Sequence, residues 1–176
     1  MPAGRALRLV VVADTHSRPH SASHGHIAAL GPDAILHAGD IGSLDVLDVL
    51  RAIAPTLAVR GNIDTRAPEV PDTVALRIED DGRLLMTLLL THIAVNGPRL
   101  RADAAREASA HHAAMVVCGH SHIPLVARDG GIAVFNPGSI GPRRFGLPIT
   151  FGVVDVSASK LEMRHVSAET GAPWSP

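Results

Sequence analysis

Tyrosine is absent from this chain, and aromatic residues make up only 2% of it. Its interior must therefore be filled by Val, Leu, Ile and Ala. A lone cysteine, Cys118, excludes an intrachain disulfide and fits a reduced, cytoplasmic setting. Lysine is nearly absent too: Lys160 is the only one among 16 basic residues, which almost balance 17 acidic ones for a formal charge of -1. No run of Lys or Arg marks an extended nucleic-acid surface or a membrane surface. The first apolar run, residues 7–13, contains Arg8 and ends at Asp14, so it is too short for a signal or a membrane span. No glycine-rich phosphate loop follows it, which argues against a nucleotide-binding regulatory domain.

What is present fits one domain, residues 1–176, with a core over about 7–166 and a loosely held tail after Val166. Residues 9–13, 33–37 and 56–59 are short β-branched or aliphatic runs and read as buried strands. Between the first two lies a helix from about His24 to Leu30, ended by Gly31 and Pro32. Between the second and third, Val46, Leu47, Val49, Leu50, Ile53 and Ala54 fill one arc of a helix that Ser43 can cap and Pro55 stops. This βαβαβ opening predicts a parallel sheet with right-handed crossovers, whose ligands gather at the carboxyl ends of the strands.

The second half changes style. Hairpin signals flank residues 79–82 and 128–131, and residues 149–156 and 161–166 make a third pair. A helix is expected from Pro98 to about His112, and a strand over 114–118. Parallel strands followed by antiparallel ones predict two stacked sheets with helices outside.

Metal-binding side chains recur in order, mostly where an apolar run ends: Asp14 and His16, Asp40 after Gly39, Asn62 after Gly61, His92, then His120 and His122. Asp14 and His16, two apart, suit one ion. Asp40 can bridge two ions with its two oxygens, and Asn62 offers an amide oxygen. Nitrogen and oxygen ligands without thiolate favour Mn, Fe, Zn, Ni or Co over Ca or Mg. A pair of such ions activates water against a phosphate ester.

These motifs, together with Asn136-Pro-Gly-Ser139, resemble the calcineurin-like metallophosphoesterases, in particular the small single-domain bacterial and archaeal phosphodiesterase branch. The resemblance spans roughly residues 7–166. It implies an α/β fold, a four-layer α/β/β/α sandwich of two mixed sheets flanked by helices. It implies two divalent transition-metal ions, with manganese the first choice. Asp14, His16, Asp40 and His122 would hold one, and Asp40, Asn62, His92 and His120 the other. Asp40, Asn62 and His92 are the expected catalytic residues, and Asn62 and Arg143 the expected substrate contacts. The implied partner is a small phosphate ester, more readily a diester than a monoester; self-association stays open. The rival class is a protein-binding scaffold, as in the retromer scaffold subunit of the same fold.

Two departures from the family pattern stand out. Many relatives carry His after the Gly-Asn pair, where it can protonate a leaving group; here Ile63 stands there. Close relatives usually have Gly after the histidine corresponding to His92, which here is followed by Ile93 and Ala94. Elsewhere, His37 is expected to be buried rather than a ligand. His20, His24 and His26 read as a loop and helix start. Cys118 reads as a small buried hydrophobe, and Asn136 and Ser139 as shaping their loop.

Overall fold

Val10 and Val12 of the first strand face one way and Leu9 and Val11 the other, and all four are buried. A strand with two apolar faces needs cover on both sides, and that requirement organises the whole molecule. The structure is a computed structural model that describes residues 6–175. In chain order the elements are β1 (Leu7–Val12), α1 (Ser23–Ala29), β2 (Ala34–His37), α2 (Asp45–Arg51), β3 (Thr56–Ala58), β4 (Thr73–Asp80) and β5 (Arg83–Thr91). There follow β6 (Val95–Asn96), β7 (Arg99–Leu100), α3 (Ala102–Ala110), β8 (Met115–Val117), β9 (Leu125–Asp129), β10 (Ile132–Asn136), β11 (Thr150–Val156), β12 (Leu161–Ser167) and β13 (Pro173–Trp174).

One sheet has six strands in the order β13-β12-β11-β1-β2-β3, with β1, β2 and β3 parallel and the others added antiparallel. The other has five, β4-β5-β8-β10-β9, with β5, β8 and β10 parallel. Leu9, Val11 and Leu36 of the first sheet meet Leu88, Leu90, Met115, Val117 and Phe135 of the second in one buried cluster. The opposite face of the first sheet (Val10, Val12, Ile35) packs on Ile27 of α1 and Val46, Leu47 and Leu50 of α2. Leu89 and Val116, on the outer face of the second sheet, pack on Ala104 and Ala108 of α3. The layers are therefore α/β/β/α, as expected from the sequence.

Four local expectations are corrected. Residues 95–100 form the β6–β7 hairpin, so the helix expected from Pro98 begins at Ala102 and ends at Ala110. The turn at Gly97 has φ +61°, which breaks the helical path. The tail after Val166 is not loose: it turns back at Gly171 and pairs as β13 with β12, placing Trp174 opposite His165. β3 is an edge strand, and Leu57 is left exposed. In α2 only Val46, Leu47 and Leu50 are buried, whereas Val49 is exposed. No described helix is long and apolar enough to cross a membrane.

Candidate metal centre

The carboxyl ends of β1, β2, β3, β5 and β8 converge on one edge of the stacked sheets, and each leads into a residue singled out above. Backbone bonds lock these ends together: Asp14 N–H donates to Gly39 O (2.9 Å), His16 N–H to Asp40 O (3.0 Å) and Gly119 N–H to His92 O (3.0 Å). Asp14, His16, Asp40, His120 and His122 all have φ between +45° and +68°. They are five of the nine described non-glycine residues with positive φ, so backbone strain is concentrated at this edge. Neighbouring glycines make room: a Cβ on Gly61 would collide with the nitrogen and carboxylate of Asp40, and one on Gly39 with the His92 ring.

Ligand atoms of Asp14, His16 and His122 lie within 4.8 Å of one another, and so do those of Asp14, Asp40 and His92. Asp14 is common to both groups. Asp40 reaches both as well: its Oδ2 is 3.7 Å from His16 Nε2 and its Oδ1 is 3.3 Å from His92 Nε2. His16 and His122 stack with their Nε2 atoms 3.4 Å apart. His120 packs edge-on against His92, with ring centroids 5.2 Å apart. Asn62 is exposed in the turn that wraps Asp40, and its amide has no hydrogen-bonded partner among the described residues. Five of the seven expected ligands thus form two contiguous groups, and Asn62 and His120 flank them.

The buried atoms test whether this set fits metal. Asp14 is wholly buried; its Oδ2 accepts the His120 N–H at 3.0 Å, but its Oδ1 has no hydrogen-bond partner. Nε2 of His92 is equally orphaned, because Asp40 is close but not aligned for a hydrogen bond. Leaving such a buried polar atom unsatisfied costs about 1–3 kcal/mol. A cation satisfies both, and the donor set of carboxylate and imidazole suits it.

The protonation states agree. Burial pushes the Asp14 carboxyl up to about 7, although the nearby His92 pulls the other way. Burial also acts to raise Asp40, but the adjacent His92, the Ile63 N–H (3.2 Å from Oδ1) and His16 outweigh it and hold this carboxyl at about 2. Asp40 is therefore an anion at any ordinary pH. Burial lowers His16, His120 and His122, the last to about 4, so their rings are neutral and offer lone pairs. His92 is the exception: burial works against its charge, but Asp40 and the Ala38 carbonyl raise it. Its Nδ1 lies 2.7 Å from that carbonyl, which orients Nε2 towards the carboxylates.

Supporting residues behave as expected where the sequence named them. His37 is fully buried and burial lowers it to about 4. Its Nδ1 accepts the Gly39 N–H, so Nε2 carries the proton given to Thr15 Oγ1 (3.0 Å). Asn136 Nδ2 donates to Gly119 O and Ser121 Oγ, and Ser139 Oγ donates to Asp14 O. Both shape loops; neither is placed as a nucleophile. Cys118 is buried, and burial pushes its thiol up to about 12. His20 precedes α1, His24 and His26 lie within it, and none of the three belongs to either ligand group.

The Arg143 guanidinium donates to Glu169 (2.6 Å) and to the Leu147 carbonyl (2.9 Å). Positive charge at Asp14, His16 and His122 comes from neighbouring histidines and from Arg144. The two arginines are adjacent in sequence, and the folded loop gives them different surroundings. Sequence reasoning also missed Asp64. This buried carboxylate accepts N–H groups from Gly61 (2.7 Å), Gly42 (2.9 Å) and Ile41 (3.1 Å), and so ties the Asp40 turn to the Asn62 turn.

Comparison with known proteins agrees with this fold. Residues 7–159 match the calcineurin-like phosphoesterase superfamily domain. A probable metallophosphoesterase of Methanothermobacter thermautotrophicus is 31% identical over 174 residues, covering 93% of this chain and 92% of that protein. Phosphodiesterase YfcE of Escherichia coli is 30% identical over 101 residues, 56% of this chain and 52% of YfcE. Its solved structure aligns over 96% of this chain and 97% of that one with a TM-score of 0.64 at 20% identity. Vacuolar protein sorting 29 of Cryptosporidium parvum shares the fold, with a TM-score of 0.78 at 17% identity over 97% of this chain and 95% of that one. The chain belongs to the calcineurin-like phosphoesterase superfamily.

Proposed function

We propose that this protein is a phosphodiesterase that works with two divalent transition-metal ions, manganese in the first place, with Fe, Zn, Ni or Co as substitutes. The observation that carries the reading is the pair of ligand groups meeting at Asp14, with Asp14 Oδ1 and His92 Nε2 buried without a hydrogen bond, near His122 Nε2 (3.4 Å) and Asp40 Oδ1 (3.3 Å) respectively. Asp14, His16, Asp40 and His122 would hold one ion, and Asp40, Asn62, His92 and His120 the other. Bound there, the ions supply Lewis-acid activation of water and of the phosphoryl group.

The chain's own residues do the rest. Asp40 keeps a negative charge between the two groups, held by the Ile63 N–H. The neutral His16, His120 and His122 present lone pairs without competing positive charge. Asn62, exposed beside Asp40, would present an amide to the phosphate, and Arg144 adds positive charge from the loop after Ser139. Ile63 is 45% exposed at this edge and has no proton to give, so esters with good leaving groups are favoured.

The substrate in this reading is a small phosphate ester in a reducing cytoplasm. The scaffold alternative draws on the shared fold of the vacuolar sorting protein, but that fold alone does not account for a filled set of ligand positions. The test is metal content and hydrolysis of bis(p-nitrophenyl) phosphate against p-nitrophenyl phosphate with Mn, Ni, Zn and Mg. Manganese-stimulated cleavage of the diester above the monoester is expected. A protein that binds no metal and cleaves neither ester overturns the reading.

A further inference from the structure

Two walls of a cleft grow directly out of the metal-centre loops. Three residues after His92 the chain enters β6, turns at Gly97 and Pro98, and returns as β7. Facing it, the turn containing His120 and His122 runs through Ile123 into β9. The cleft between them has a volume of about 440 Å³, within the usual range for small-molecule sites. Val95, Pro98, Ile123 and Leu125 make its walls mainly apolar, while Asn96 and Ser121 supply polar groups. Ser121 lies between His120 and His122, so the cleft starts within one residue of two candidate ligands.

The walls are fixed before any ligand arrives. Leu100 N–H donates to the Asp129 carboxylate (2.9 Å), Arg101 N–H to Ala94 O (2.8 Å), and Asn136 Nδ2 to Ser121 Oγ (3.1 Å). Ile123 keeps 52% of its surface exposed, apolar area that the fold itself does not use. No residue lining the cleft is ionisable. It is therefore unsuited to phosphate or to another charged group, and suited to an uncharged apolar one.

Resting on the phosphoesterase reading above, we propose that this cleft binds the organic arm of the substrate ester, an uncharged aryl or bulky apolar group. The phosphate itself lies at the metal centre. The hairpin at residues 95–100 is then a specificity element, not only a connection to α3. A substrate whose organic group is small or charged leaves the cleft unfilled and is discriminated against. Filling or emptying an apolar pocket by a few carbon atoms is worth about tenfold or more in affinity.

The experiment is calorimetric binding of phenylphosphonate and methylphosphonate to the manganese-loaded protein. The parent should bind phenylphosphonate about tenfold or more tightly than methylphosphonate. Ile123→Asp should abolish that preference, and Ile123→Leu should keep it. Because both cleft walls are involved, Pro98→Asp on the exposed facing turn should abolish it as well. Equal affinities in the parent, or a preference unchanged in both aspartate variants, overturns the proposal. Binding does not depend on turnover, so the two readings fail separately. A protein with an Ile123-dependent preference and no hydrolysis keeps the cleft and loses the phosphodiesterase, and active protein indifferent to these variants does the reverse.

Discussion

The backbone N–H of Ile63 donates to Asp40 Oδ1 at 3.2 Å, while the Ile63 side chain remains 45% exposed at the edge of the metal centre. One residue thus holds the carboxylate between the ligand groups and offers no proton from its own side chain. A positioned acid contributes about 10²–10⁴-fold to departure of a poor leaving group. Aryl diesters should therefore be cleaved much faster than alkyl ones, and the plot of log rate against leaving-group pKa should fall steeply. Ile63→His should flatten that plot by raising alkyl rates, with the backbone bond to Asp40 retained. A flat plot in the parent under chemistry-limited conditions would show that another acid already serves.

Asp40 faces both ligand groups, so its charge is lost to both at once on substitution. Asp40→Asn should lower metal occupancy at both positions and reduce turnover by two orders of magnitude or more, roughly the scale of losing one electrostatic stabiliser at an active site. His122→Ala should weaken the ion held by Asp14 and His16, and His120→Ala the ion beside His92. Anomalous scattering from crystals of each variant separates the cases. Loss of the same ion from both histidine variants would contradict the assignment.

Metal binding should release protons. In the metal-free protein burial holds Asp14 at about 7, and Asp40 together with the Ala38 carbonyl raises His92. Both groups must give up a proton to become ligands, whereas His16, His120 and His122 are lowered and already neutral. Affinity for Mn should therefore fall as the pH drops through 7 and level off above it. Calorimetry in buffers of different ionisation enthalpy counts the protons. Affinity that is flat with pH across neutrality would show that Asp14 is already ionised in the free protein.

Asp64 accepts three backbone N–H groups from the two turns around Asp40. Asp64→Asn places an amide NH2 against at least one of those donors. A loss of about 1–3 kcal/mol in stability is expected, the cost of leaving a buried donor unsatisfied. Because the Asn62 turn is released as well, metal affinity on that side should fall more than on the Asp14–His16 side. Thermal unfolding with and without metal, together with metal titration, reads both effects.

The amino-acid sequence by itself determined the set of candidate metal-binding residues and the layer order. Asp14, Asp40, Asn62 and His92 are visible because each follows the end of an apolar run, and such runs in a parallel sheet deliver their carboxyl ends to one edge. The burial of residues 9–12 on both faces is likewise legible in a continuous, mostly β-branched apolar run. What only the tertiary structure decided depends on contacts distant in sequence. Asp64 looks like an ordinary turn residue until Gly42 and Gly61 bring three N–H groups to it. Arg143 and Arg144 are equivalent on paper and are separated only because Glu169 takes one of them. The hairpin at residues 95–100 was hidden by Pro98, a good helix starter whose local preference is overridden when Leu100 N–H finds Asp129 and Arg101 N–H finds Ala94. Sequence periodicity reports which face of an element is apolar. It does not report which distant backbone group a polar side chain will meet, and the supports of the metal centre and the cleft beside it are made of such meetings.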